Sequence, residues 1–334
     1  MSVALIGVGV VQTIVYLLFV RFIDLYERED FRYVVPVFVW GFTVAVAMAL
    51  VFNTLIGGTL SVLVDQNSAN FLTAVFVAPP VEEIAKGLAL MIAFAVSWAV
   101  ARSRGGGLAF SGVMDGIVYG SAVGFGFSIA EDVLYYAQTY QEVGNQVFVL
   151  RRIGGGFVHA AFTSLTGIGI GIIPWVRGAF LKVLMPVLGL LGAIFLHAAF
   201  NFTATLFGPL AYGIAFVVLL IYMVVIVAWL AVERRVIREE LREEVAAGTI
   251  GAREYELLPT YFARTLYYLG LIFSGRVGEW RRARKVHEAA VDLAFTKRIS
   301  RYSYAAPQAH NIQHLRERIR QLRGGPGRSP QPAI

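Results

Sequence analysis

The residues with the most chemistry to offer are two adjacent glutamates and a lysine in PPVEEIAKG: Glu82, Glu83 and Lys86. Lys86 follows them by four and three positions, so on a helix it shares their face and can pair with either. Two carboxylates against one ammonium leave net negative charge in an apolar stretch. Glu131 lies in GFGFSIAED, one turn after Phe127. Two short runs echo one another, HAAFT from His159 to Thr163 and HAAFN from His197 to Asn201. In each, a polar partner four residues on can fix an imidazole tautomer or present a second donor.

Carboxylates, two imidazoles and an amide suit hydrolysis, and two mechanisms fit. In one, Glu83 is a general base, tuned by Glu82 and by burial, and activates a water while a histidine and Asn201 stabilise the oxyanion. In the other, Glu131, His159 and His197 hold a divalent metal such as zinc, with a position left open for water and Glu83 as the base. The chain has no cysteine, which removes cysteine nucleophiles, thiolate-ligated zinc and disulfide scaffolds. H-E-x-x-H and G-x-S-x-G are also absent.

These groups must be positioned by helices in a membrane. The 334 residues are 57% hydrophobic and 15% charged, too apolar for an ordinary soluble domain. Seven stretches suit spanning helices: 3–20, 34–56, 80–101, 110–137, 155–176, 183–207 and 210–232. The first lacks a basic n-region and reads as a retained helix. Residues 57–78 read as an outer-face or re-entrant segment ending at Pro79-Pro80, and 138–154 as a polar outer loop. With the N-terminus outside, the inner loops carry Arg21, Arg28, Arg32, Arg102, Arg104, Arg177 and Lys182. The outer loops carry only Arg151 and Arg152. The excess gives an N-out, C-in protein of the cell's inner membrane.

An ionisable group at mid-span costs about 2.5–3.5 kcal/mol, so such residues are seldom idle. The candidate residues all fall in the outer half of their helices. Asp115, sixteen residues before Glu131, belongs about 24 Å away and reads as an inner-surface residue. Gly112, Gly116, Gly120 and Gly124 form a small-residue stripe suited to close helix packing.

Up to residue 232 there are 10 Lys/Arg and 11 Asp/Glu; beyond it there are 19 and 11, so the net charge of +7 belongs to the end of the chain. The expected organisation is a transmembrane domain over 1–232, a basic helical cytoplasmic extension over 233–323 and a disordered tail over 324–334. Helices are expected at 233–247, 252–270, 277–300 and 308–322. The arginines of the extension could grip anionic lipid; a solvated, topology-setting tail is the alternative. Hanging from a membrane domain, this basic region does not read as a nucleic-acid surface.

EEIAK, GFGFSIAED, FVHAAFT and HAAFN, in this order on successive helices, resemble the PrsW family of intramembrane proteases, which is similar to the type II CAAX prenyl proteases. The resemblance implies an all-α polytopic membrane enzyme that makes a first cut in a membrane-anchored protein, often an anti-sigma factor, near the outer surface. By that matching, Glu82 and Glu83 take the paired-glutamate role with Lys86 as partner, and Glu131 takes the second motif. His159, His197 and Asn201 take the last two. Asp132 stands where the family commonly has Asn. The rivals are an ion-coupled transporter and a non-catalytic membrane scaffold.

Overall fold

The computed structural model describes residues 3–27, 29, 31–104, 110–150, 156–302 and 307–324. Among them the chain is helical, with no strand. Helix α1 (Val3–Ile23) is followed by α2 (Phe31–Trp40), which passes through a π-helical turn at Gly41–Ala45 into α3 (Val46–Leu63). Helix α4 (Gln66–Leu72) continues through a second π turn, Thr73–Val77, into α5 (Ala78–Arg104). Then come α6 (Val113–Leu150), α7 (Gly156–Gly171), α8 (Ala179–Phe207) and α9 (Ala211–Ala246). Four helices close the chain: α10 (Ala252–Leu257), α11 (Tyr261–Phe273), α12 (Val277–Ser300) and α13 (Pro307–Gly324).

Among the described residues, five stretches are long and apolar enough to cross a membrane: Phe31–Leu63, Gln66–Ala101, Val113–Leu134, Phe157–Trp175 and Ala179–Ala246. Val11–Ile23 is apolar but shorter. The last stretch holds two helices, broken where Gly208 takes φ 55° and Pro209 follows.

Two expected segments differ. Residues 57–78 are helical almost throughout: 57–63 complete α3, and Asp65 restarts the chain by accepting the N–H groups of Asn67 and Ser68, both at 3.1 Å. Helix then runs on through Pro79 and Pro80 at the start of α5, where the missing N–H groups leave carbonyls of the preceding turn without a helical donor. The expected loop at 138–154 is, as far as Leu150, the continuing end of α6. Falling hydropathy there does not end the helix. Arg28, Arg151, Arg152, the rest of that loop and 325–334 lie outside the described residues.

Helix α6 is the central element. Its apolar stretch is wholly buried, whereas α3, α8 and α9 turn Leu50, Leu55, Phe195, Phe216 and Val224 outward. The glycine stripe explains how α6 takes neighbours so close. Gly116 of α6 faces Gly167 of α7, and a Cβ on either would overlap the other's backbone. At Gly124 a Cβ would come within 2.6 Å of the His159 carbonyl oxygen. Small residues thus press α7 against α6 at the histidine itself.

The C-terminal helices have their own core, in which Ile237 and Leu241 of α9 meet Leu293 of α12 and Ile319 of α13. Pro259 splits the helix expected over 252–270. Much of the basic charge is spent internally. Buried Glu240 binds Arg298 (2.8 Å) and Arg301 (2.7 Å), and buried Glu244 binds Lys297 (2.9 Å) and Arg316 (2.7 Å). These pairs fasten α12 and α13 to the end of α9.

Candidate active site

Helix α5 carries Glu82, Glu83 and Lys86 on one face. Glu83 and Lys86 are fully enclosed, and Glu82 nearly so. As the spacing suggests, Lys86 Nζ donates to Glu83 Oε1 at 2.8 Å and lies 3.8 Å from Glu82 Oε2. It also sits 3.9 Å from the centre of the Phe127 ring of α6, whose face favours a desolvated cation. The ammonium is held by α5 and capped by α6.

Helices α7 and α8 bring the imidazoles. His197 Nδ1 lies 3.0 Å from Glu83 Oε1. A carboxylate only accepts, so the neutral ring carries its proton on Nδ1 and leaves Nε2 as an acceptor, 3.8 Å from Glu82 Oε2. His159 Nε2 lies 2.8 Å from Glu131 Oε2 and its Nδ1 3.3 Å from Lys86 Nζ, which assigns the ring proton to Nε2. The two imidazoles meet edge to face, with centroids 5.2 Å apart, and Phe162 stacks on His197 at 5.3 Å.

Six of the seven expected residues therefore converge. Asn201 does not. Its amide donates to Ala74 O at 2.9 Å, in the π turn before α5. There Ala78 N–H bonds back to Thr73 O, and Pro79 has no N–H to offer, so Ala74 O lacks a helical donor. Asn201 supplies one, tying α8 to the start of α5. Thr163 also departs from expectation: it donates to Glu83 Oε2 at 3.0 Å and leaves the His159 tautomer to Glu131 and Lys86.

Two further residues support the site. Asn53 donates to Glu82 Oε1 at 3.4 Å, and Trp40 Nε1 to the Ala85 carbonyl at 3.1 Å. An amide in the apolar run VFNTL of α3 was a readable signal for Asn53, by the reasoning that singled out the acids. Nothing local marks Trp40. Asp115 lies apart from the site, at the start of α6, where its carboxylate accepts the N–H groups of Ser111 (2.6 Å) and Gly112 (2.9 Å).

A model of the PrsW family intramembrane metalloproteases matches residues 29–230, more than half of the chain. The chain belongs to that family, and is an integral membrane protein and a protease. No curated protein and no solved structure matches it.

The metal implied by the family finds a fitting donor set. One ligand atom each from Glu82, His159 and His197 lie within 4.8 Å of one another. Glu82 Oε2 is buried and accepts no hydrogen bond among the described residues. Two imidazoles and a carboxylate are a donor set of zinc hydrolases. In the expected set the acid was Glu131; here Glu131 lies behind the His159 ring, and Glu82 is the acid facing both imidazoles.

Proposed function

We propose that this protease hydrolyses a peptide bond in a membrane-anchored protein, of the anti-sigma-factor kind, near the outer face of the inner membrane. The reading takes seven spans, an outer N-terminus and a cytoplasmic C-terminal extension from 233, as the charge distribution suggests. The convergence of Glu82, His159 and His197 carries it.

Those three residues would hold a metal such as zinc, which when bound polarises the scissile carbonyl and acidifies water. Glu83 is poorly suited to be the base, because Lys86, His197 and Thr163 already donate to its two oxygens. Its place is behind His197, fixing the ring through Nδ1, as a carboxylate behind a ligating histidine does. Lys86 pairs with Glu83 at 2.8 Å. Glu131 orients His159 from the other side and has about a third of its side chain open, 36%. We assign Glu131 the placing of that ring, with the His159 proton held on Nε2. Asn201 fixes the start of α5, and Phe162 walls the site.

The test is cleavage of a co-expressed single-span substrate by Glu82→Gln and Glu131→Gln proteins that insert and melt like wild type. Each should lose at least about 10–100-fold in rate. Wild-type cleavage by either one removes the role assigned to it, and by both removes the site.

A further inference from the structure

Helix α11, YFARTLYYLGLIF, is amphipathic in the inverted sense: its apolar face points away from the protein. Phe262, Leu266, Leu269 and Phe273, spaced by four, three and four, form one stripe and are exposed by 78, 69, 40 and 85%. Its polar side chains turn inward instead. Arg264 is buried and donates to the Leu25 carbonyl, with its guanidinium 5.6 Å from the Tyr26 ring centre. Tyr268 meets buried His287 of α12 at 2.7 Å. A soluble lobe would place these faces the other way round.

The contacts of α11 fix its level. Leu25 is two residues beyond the end of α1, and Tyr26 donates to Pro259 O at 3.1 Å, just before α11 begins. The helix therefore lies where α1 leaves its apolar stretch and the chain turns back toward α2. Composition fits the same level, with Tyr261, Phe262, Tyr267, Tyr268 and Phe273 among its thirteen residues. Gly275, at φ 70°, then turns the chain into 276–285, which carries Arg276, Arg281, Arg282, Arg284 and Lys285 against Glu279 alone. Such a segment belongs beside lipid headgroups.

We propose that α11 is an in-plane membrane anchor, with Phe262, Leu266, Leu269 and Phe273 seated among lipid acyl chains at the boundary where α1 ends. At thirteen residues it is too short to span. The C-terminal lobe is then held to the bilayer by this helix as well as by α9. Because Arg264 of α11 contacts Leu25 and Tyr26, the anchor also fixes the α1–α2 turn.

The chain has no cysteine, so single spin labels can be placed without background. Full-length protein carrying Phe262→Cys, Leu266→Cys, Phe273→Cys or, as a control, Arg282→Cys would be labelled and reconstituted in nanodiscs of phosphatidylcholine and phosphatidylglycerol. Accessibility to oxygen and to a water-soluble nickel chelate would then be compared. The three apolar positions should be several-fold more accessible to oxygen than to the nickel chelate, and Arg282→Cys the reverse. Nickel accessibility at all three would overturn the anchor. So would dipolar broadening at Phe262→Cys that disappears in discs holding one chain, since that assigns the face to a second copy.

Discussion

Two clusters of carboxylates near the bundle's helices are satisfied differently. Around Glu82 and Glu83 the counter-groups are Lys86 and two imidazoles, brought by three helices. At the turn after α1, buried Asp24 and Asp115 gather with Glu27 and Glu29 against backbone N–H groups and hydroxyls. Asp24 accepts from Tyr26 N and Glu27 N, and Glu29 from the Tyr119 hydroxyl at 2.5 Å. Burial first, then the charge of Asp115, pushes Asp24 up to about 8, and the same causes raise Glu27 and Glu29 well above the ordinary carboxylate range. The first cluster is answered by side chains from three helices. The second relieves its charge by taking up protons. Side-chain partners around an orphaned oxygen suit catalysis; proton uptake suits a structural joint.

Breaking the first cluster should have the largest effect. Lys86→Met leaves Glu83 buried without its cation, a loss of about 3–5 kcal/mol by analogy with broken buried pairs. Melting of the detergent-purified protein should fall steeply, and Lys86→Met combined with Glu83→Gln should recover most of the loss while staying inactive. A double variant no more stable than Lys86→Met would contradict the pairing.

Next comes Glu83→Gln alone. If Glu83 orients His197, metal affinity should drop about 10–100-fold and cleavage should return with excess metal. Cleavage that stays absent at saturating metal would restore Glu83 as the base.

A smaller effect is expected at the second cluster. The folded-state value of Asp24 lies above the ordinary value near 4, so its contribution is fully present below about pH 4 and is lost as pH rises toward 8. Thermal stability of the wild type should decline across that window. Asp24→Asn, which can still accept from Tyr26 and Glu27, should flatten the decline; an unchanged slope would show that Asp24 does not titrate there.

The smallest and opposite effect belongs to His287, which burial pushes down to about 4. Its contribution is present above pH 6.5 and is lost as pH falls toward 4. Replacing His287 with Gln should remove that acid-side loss in the same melting series.

The sequence made the active site legible because charge inside an apolar helix is costly, so Glu82, Glu83, Lys86, Glu131, His159 and His197 stood out at once. The spacing of Lys86 even gave its pairing. What spacing could not give was direction across helices. Thr163 and Asn201 share a face with their histidines, yet each is drawn off by a partner on another element, Glu83 for Thr163 and the carbonyl orphaned by Pro79 for Asn201. The same limit hid Glu82 as the acid between the imidazoles. Helix ends misled where hydropathy changed but backbone pairing did not, at 66–77 and 138–150. In the extension a charge count could not tell that Glu240 and Glu244 pair with Lys297, Arg298, Arg301 and Arg316.

The central claim is that Glu82, His159 and His197 together hold one metal. Metal content of purified, cleavage-competent protein, compared with folded His197→Ala and Glu82→Gln proteins, tests it most directly. The expected result is about one tightly bound metal per chain in the wild type and its loss in both variants. A fully active wild type without metal, or variants that keep the wild-type content, would contradict it.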